Sequence, residues 1–428
     1  MSVLRNHRPF ALAAAWAATR ALMLWLLAHD HLAPLGRGGV SREVRQLYFH
    51  WSETLARGAF PVGDRLWQYP PGAGPVLLAP TLVPSLAYFT AFVACALAAD
   101  AVITVALTHA GRHPGHSLRG ARLWVLGLPL LLHIPLARYD VQATAFAVVS
   151  LLALSRSRRA CGAVAALGAL VKVWPALALI GTPRGHTTRQ VWASAAVTAA
   201  ALLAVLVAVF DGPLDFLRQQ RGRGVQIESL GGTVLGFARH AGWRGTVRYR
   251  YGAMEFVGPH VGLVAAGSLA LTVAAFGLVL LWRVRARRWT TATPYDAALT
   301  AVLLFTVTSR VISPQYMVWL LGLAAVCLTS RHTTQRPVAA LIVAATAVST
   351  VVYPTLYGQV VHSTWTGCLL MLLRNGLLAT AAVVAFVRLW RSGLPAAGKD
   401  RREPDRAGRA GRADTRPHRI PTVLRTGH

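Results

Sequence analysis

The chain has 428 residues, of which 54% are hydrophobic and 14% charged, and it carries a formal net charge of +29. A soluble domain of this length rarely has that balance, so the composition excludes an ordinary soluble enzyme and points to an α-helical chain that crosses a bilayer many times. The arginine excess does not imply a nucleic-acid partner, because no nucleic-acid-binding motif accompanies it.

In chain order, apolar segments at about 9–29, 84–110, 121–137, 141–154, 189–211, 260–281, 295–309, 314–330, 337–353 and 367–390 are expected to span. The first lacks a small-residue cleavage site and reads as a span, not a signal peptide. Short arginine-rich connections at 112–122, 156–159, 283–288 and 331–336 belong in the cytoplasm by the positive-inside rule. Two long segments, about 30–83 and 212–258, then face outside. Residues 1–393 form the membrane domain, and the basic, Gly- and Pro-rich stretch 394–428 is expected to be a disordered cytoplasmic tail.

Segment 160–181 breaks the alternation. It is long enough to span, yet arginines flank it on both sides, at 156–159 and at 184 and 189. A re-entrant or broken helix, bent near Pro175, restores the pattern, and irregular backbone at that depth must be buried in protein or line a cavity. Lys172 lies within it. Apart from Lys399 it is the only lysine in the chain, and an ionisable residue inside a membrane segment marks a functional site by default.

Of eleven acidic residues before the tail, nine fall at the outer surface in this topology: Asp30, Glu43, Glu53, Asp64, Asp140, Asp211, Asp215, Glu228 and Glu255. Asp100 and Asp296 are the exceptions. Carboxylate chemistry therefore belongs outside. In the first outer loop, Val44, Leu47, Tyr48, Trp51 and Leu55 make one apolar helical stripe with Ser41 as N-cap, and this helix is expected in the membrane interface. Glu43, at its first turn, is either helix-end electrostatics or a catalytic base. Asp64 is a second carboxylate in the loop. Trp67 and Tyr69 suit an interfacial aromatic belt or a sugar-stacking platform.

Arg138 and Asp140, two residues apart, either pair with each other or frame an anion site. The second outer loop offers Arg218, Arg221, Arg223, Gln226 and Glu228 among glycines, and guanidinium forks bind phosphate well. Arg310 precedes Pro314, Gln315 and Tyr316 at an expected helix N-terminus, which favours anions. Cys95, Cys161, Cys327 and Cys368 lie in apolar segments as core residues. No Walker loop, HExxH, nucleophile elbow or histidine cluster is present, and no metal or cofactor is expected.

The ordered set REVRQLYFHW (42–51), GAFP (58–61), WQYPPG (67–72), RYD (138–140), GALVKVWPAL (168–177), RGVQIES (223–229) and SRVISPQY (309–316) resembles the actinobacterial family 87 membrane glycosyltransferases of the GT-C class. The resemblance spans about residues 9–390. It implies a helical GT-C-like bundle in a bacterial plasma membrane, a polyprenyl-phosphate sugar donor, with mannose the expected hexose, and a glycolipid or glycan acceptor. It further implies inverting transfer at an outward-facing site without metal. In similar proteins an Asp in the first outer loop, shortly before a Tyr, acts as base; the matching position here is Glu43, five residues before Tyr48, with Asp64 in reserve. Lys172, Arg221, Arg223 and Arg310 are then expected at the donor phosphate, and Tyr48, Trp67, Tyr69, Arg138, Asp140, Gln226, Glu228, Gln315 and Tyr316 around the substrates. The competing readings are a transporter or lipid-linked-sugar flippase, and a non-catalytic scaffold; one broken helix without an internal repeat fits a transporter less well.

Overall fold

Apolar runs without polar interruption fold into helices because a membrane leaves the backbone no other hydrogen-bond partners. In the computed structural model, which describes residues 3–219 and 223–394, the chain forms α1 (Val3–Ala28), a short α2 (Gly39–Arg42), a π turn (Glu43–Tyr48) and α3 (Phe49–Ala56). Then come α4 (Ala73–Leu78), α5 (Tyr88–Arg112), α6 (Arg119–Gly127), α7 (Asp140–Ala153), α8 (Arg158–Val171) and α9 (His186–Val209). After α10 (Phe216–Gln219) and α11 (Leu230–His240) follow α12 (Val261–Arg285), α13 (Thr293–Thr308), α14 (Tyr316–Thr329), α15 (Arg336–Thr350), α16 (Tyr357–Val361) and α17 (Trp365–Gly393). Three short strands, β1 (Val225–Gln226), β2 (Thr246–Arg250) and β3 (Ala253–Val257), make an antiparallel sheet in the order β1-β3-β2. Arg221 and the tail from 395 onward, expected to be disordered, lie outside the described residues.

This is an all-α polytopic membrane fold. Among the described residues six helices are long and apolar enough to cross a membrane: α1, α5, α9, α12, α15 with the turn after it, and α17. The other expected spans are shorter. Segments 141–154 and 314–330 are the apolar helices α7 and α14, 295–309 falls in α13, and 121–137 is α6 continued through two 3-10 turns. α14 is the central helix, with Met317, Leu320, Leu321, Leu323 and Val326 fully buried.

Segment 160–181 turns back. α8 ends at Lys172, whose backbone is extended (φ −146°, ψ 137°), and a 3-10 helix, Trp174–Gly181, returns the chain to the side it came from. Arg158, at the start of α8, reaches His186, at the start of α9, at 3.0 Å, so both flanks share one end of the bundle. The bend falls at Lys172–Val173, three residues before the proline, because Pro175 is accommodated near the start of the 3-10 turn, where its missing N–H costs nothing. Small residues seat this hairpin: a Cβ on Gly162 would stand 2.1 Å from Val191 O of α9. At the tip, a Cβ on Gly72 would stand 2.6 Å from the Leu170 backbone, which brings the WQYPPG loop against the turn that carries Lys172.

Two expectations for segment 30–83 are corrected. Gly38, in the left-handed region at φ 78°, caps α2, not Ser41; the Ser41 N–H instead donates to Asp30 Oδ2 at 3.1 Å. The apolar stripe does not face lipid. Val44, Tyr48, Trp51 and Leu55 are at most 1% exposed, and Tyr48 packs on Phe92 of α5 and on Tyr139.

Charges inside the bundle lock helices together. Asp100 of α5 accepts from Arg20 Nε (2.8 Å) and Nη2 (2.6 Å), Trp16 Nε1 (2.6 Å) and Trp124 Nε1 (2.7 Å), joining α1, α5 and α6. Asp296 of α13 accepts from Thr333 Oγ1 (2.6 Å) and from Thr334 N and Oγ1 (2.9 Å each). Both acids that sequence placed away from the outer surface are thus fully engaged in structure.

Candidate active site

Glu43 opens the π turn, and an i→i+5 pattern stacks residues that a regular helix would splay. Tyr48, five residues on, therefore reaches back, its hydroxyl donating to Glu43 Oε1 at 3.0 Å. Arg138 closes on the other oxygen: its Nη2 lies 2.6 Å from Glu43 Oε2, while Nη1 donates to Val40 O (3.1 Å) and Ala137 O (2.6 Å). The Glu43 side chain remains 29% exposed against 8% for Arg138, so the carboxylate is fixed but open.

A second ion pair lies beside it. Lys172 Nζ sits 2.7 Å from Asp140 Oδ1, which also accepts from Trp319 Nε1 at 2.6 Å. Asp140 Oδ2 is buried and takes no hydrogen bond, and neither does the Tyr139 hydroxyl. Aromatic rings surround the ammonium: Tyr139 at 4.5 Å, Trp319 at 5.3 Å and Tyr69 at 6.0 Å. Tyr139 stands between the two pairs, 6.0 Å from the Tyr48 ring and 5.2 Å from Tyr69. Tyr316 stacks on Trp319 at 3.8 Å. Arg138 and Asp140 do not pair with each other.

The segment that begins at Arg223 packs against this chamber. The Gln226 N–H donates to Arg310 O at 3.0 Å, and its side-chain amide donates to Ser313 Oγ at 3.3 Å, so the RGVQIES and SRVISPQY motifs meet. Arg223 lies within Coulombic range of Tyr69 and Tyr316. Glu255, on β3, feels the charges of Arg223, Arg250 and Arg310 and accepts from the Gly224 N–H at 3.1 Å. Burial pushes the Glu255 carboxyl up, against the pull of that N–H and the arginines. Arg223 Nε, Gln226 Oε1 and Glu255 Oε1 are buried without a hydrogen-bond partner.

Asp64, Trp67 and Glu228 are built into the scaffold. Asp64 accepts from Trp51 Nε1 (2.7 Å) and the Leu66 N–H (2.8 Å), so both its oxygens are taken by the loop itself. Trp67 is 2% exposed and packs edge-on against Trp51, Phe60 and Tyr69; it is core, not a membrane belt. Glu228 is held by α17, with its Oε2 3.0 Å from Arg374 Nη1. Asn375 adds bonds to Glu228 O (3.2 Å), Ser229 O (3.2 Å) and Thr233 Oγ1 (2.7 Å). Burial raises the Glu228 carboxyl against the Arg374 charge. Gln315 precedes α14 as its N-cap position without a side-chain cap bond. Arg221 lies outside the described residues.

Sequence reasoning passed over Tyr139, Trp319, Arg374 and Asn375. An arginine followed by an asparagine inside an apolar span carries the same signal that singled out Lys172. Among the described residues no group of three or more His, Cys, Asp or Glu is placed to hold a metal ion.

The model of glycosyltransferase family 87 matches residues 67–314, more than half of the chain. The chain belongs to glycosyltransferase family 87. No curated protein matches it significantly in sequence. The family 87 match covers Tyr69, Arg138, Asp140, Lys172, Arg223, Gln226, Glu228 and Arg310, and it starts downstream of Glu43 and Tyr48. This family 87 protein is a membrane glycosyltransferase, with a sugar donor and an acceptor as its substrates.

Proposed function

We propose that the enzyme moves a hexose, mannose, from a polyprenyl-phosphate donor to a hydroxyl of a glycolipid or glycan acceptor at the outer face of a bacterial plasma membrane, with inversion. The observation that carries this reading is the Glu43 carboxylate, gripped by Arg138 and Tyr48 yet partly open, beside an aromatic chamber that holds Lys172. Glu43 takes the proton of the acceptor hydroxyl as that oxygen attacks the anomeric carbon. The bond from that carbon to the phosphate oxygen breaks, and the polyprenyl phosphate leaves with the electron pair. Lys172, Arg223 and Arg310, with Arg221 from the same loop, stabilise the charge that develops on it. Tyr69, Tyr139 and Tyr316 supply faces and hydroxyls for the sugar, and the unpartnered Asp140 Oδ2 accepts from one of its hydroxyls.

A lipid donor also needs an apolar track. A groove of about 510 Å³ between α4, α5, α7 and α8 is lined by Pro75, Val76, Cys95, Val102, Phe146 and Val164. Its polar end is Gln142, whose side-chain amide is buried without a hydrogen-bond partner, and this groove is the track proposed for the isoprenoid chain.

The test is transfer of radiolabelled mannose from polyprenyl phosphate to acceptor in membranes containing the protein. Glu43→Gln is expected to lower the rate by roughly 10²–10⁴-fold. Undiminished transfer in that variant overturns the base, and no transfer from any polyprenyl-phosphate sugar overturns the donor class and favours a flippase.

A further inference from the structure

The end of the bundle opposite Glu43 holds a second concave site. Ser117, Arg119, Leu328, Ser330, Arg331 and Arg336 line a cavity of about 270 Å³, where the start of α6, the end of α14 and the start of α15 meet. That is several times the ~30 Å³ share of one water molecule. The rim is held by backbone ties: the Ser117 N–H donates to Thr329 O at 2.8 Å, and His116 and Ser330 pair as an antiparallel bridge. Arg331 Nε donates to His116 O at 3.2 Å, and Arg336 Nη2 to Arg331 O at 3.0 Å, which sets both guanidinium groups beside the opening.

The chemistry of the lining is one-sided. Among the described residues no carboxylate pairs with Arg119, Arg331 or Arg336. Asp296, the acid that reaches the adjoining 333–334 loop, is consumed by Thr333 and Thr334. The Ser117 and Ser330 hydroxyl oxygens already accept from the N–H groups of Arg119 and His332, at 3.2 Å each, which leaves their protons to donate. Three positive forks and two hydroxyl donors therefore surround one cavity, and the ligand they suit is an acceptor-rich anion. Phosphate oxygens match guanidinium forks in pairs. The first turn of α6 adds the positive end of its dipole. The arginine-rich end of the bundle is the cytoplasmic end by the positive-inside rule, and basic pockets between helices at that level suit lipid head groups.

We propose that this cavity binds the phosphate of an anionic phospholipid from the cytoplasmic leaflet. The shared chemistry is a phosphate, and the experiment separates a lipid from a free ion. Full-length protein in neutral detergent is titrated with phosphatidylglycerol, phosphatidylcholine or inorganic phosphate. Thermal unfolding and native mass spectrometry of bound lipid are the readouts. Phosphatidylglycerol is expected to raise the unfolding midpoint and give a retained lipid adduct, and phosphatidylcholine is expected to do neither. Replacing Arg119, Arg331 and Arg336 together by Gln is expected to weaken phosphatidylglycerol binding by roughly 100-fold, with graded loss in the single variants. All three side chains are exposed, so the single variants keep the fold and test the site if the triple variant does not. Equal effects of the two lipids, or unchanged binding in the single and triple variants, overturn the proposal. Stabilisation by inorganic phosphate equal to that by phosphatidylglycerol overturns the lipid assignment. Every readout is independent of sugar transfer.

Discussion

Arg138 and Asp140 stand two residues apart with opposite charges and serve different partners, Glu43 at 2.6 Å and Lys172 at 2.7 Å. At a helix start, residues i and i+2 point in different directions, so the RYD motif splits its charges between two neighbouring pockets. One short segment thereby positions both the proposed base and the proposed phosphate-facing cation.

Arg138→Lys keeps the charge but loses the fork that also holds Val40 O and Ala137 O. Loss of a hydrogen bond to a charged group corresponds to about 10–100-fold in rate. A fall of that size in kcat with little change in KM is expected in steady-state transfer assays if Glu43 is the base, because its grip then acts on the reacting hydroxyl and not on substrate binding.

Lys172→Met leaves Asp140 buried and uncompensated, which costs about 3–5 kcal/mol in chemical unfolding of the purified protein. The double variant Lys172→Met/Asp140→Asn is expected to recover most of that stability while transfer stays abolished. Recovery of activity together with stability removes Lys172 from the phosphate role. Full activity in Lys172→Arg shows that charge alone suffices there.

The hairpin at 158–186 makes a topological prediction. After the native cysteines are removed, Ser157→Cys and Gly185→Cys are expected to label from the same side of the membrane, and labelling from opposite sides refutes the turn-back. Gly162→Leu, which drives a side chain into Val191 O, is expected to destabilise by about 1–3 kcal/mol or more.

Glu255 predicts a pH signature. Its carboxyl titrates higher in the folded protein than in the unfolded chain, because burial outweighs the surrounding arginines. Its protonated form therefore favours the fold. The stability it confers is present below the ordinary glutamate range and is lost as pH rises through the raised value. Thermal unfolding of wild type and Glu255→Gln across that window is expected to show wild type losing ground to the variant as pH rises, and parallel curves refute it.

Much of this was legible in one sequence because membranes penalise charge. Lys172 in an apolar run, and arginines on both sides of 160–181, were enough to bend that segment. The partners were not legible. Arg20 and Asp100 are 80 residues apart, and Glu228 and Arg374 are 146 apart, so their pairing exists only in the packed bundle. Glu228 looked like a site residue because its motif borders the chamber, yet its side chain points into α17. Ser41 looked like a cap because serine before a helical stripe usually is one, but the left-handed Gly38 starts the helix earlier. The π turn left a trace only in the five-residue spacing of Glu43 and Tyr48, which has meaning once the turn is known.

The Arg20–Asp100 lock also sets a timetable for biogenesis. Arg20 enters the membrane on α1 before the ribosome has made its partner, and an unpaired arginine at mid-bilayer depth costs about 2.5–3.5 kcal/mol. At ~5–20 residues per second, the 80-position gap between Arg20 and Asp100 takes roughly 4–16 s to synthesise. During that interval α1, apolar enough to span, carries an arginine whose charge is neutralised only when α5 arrives.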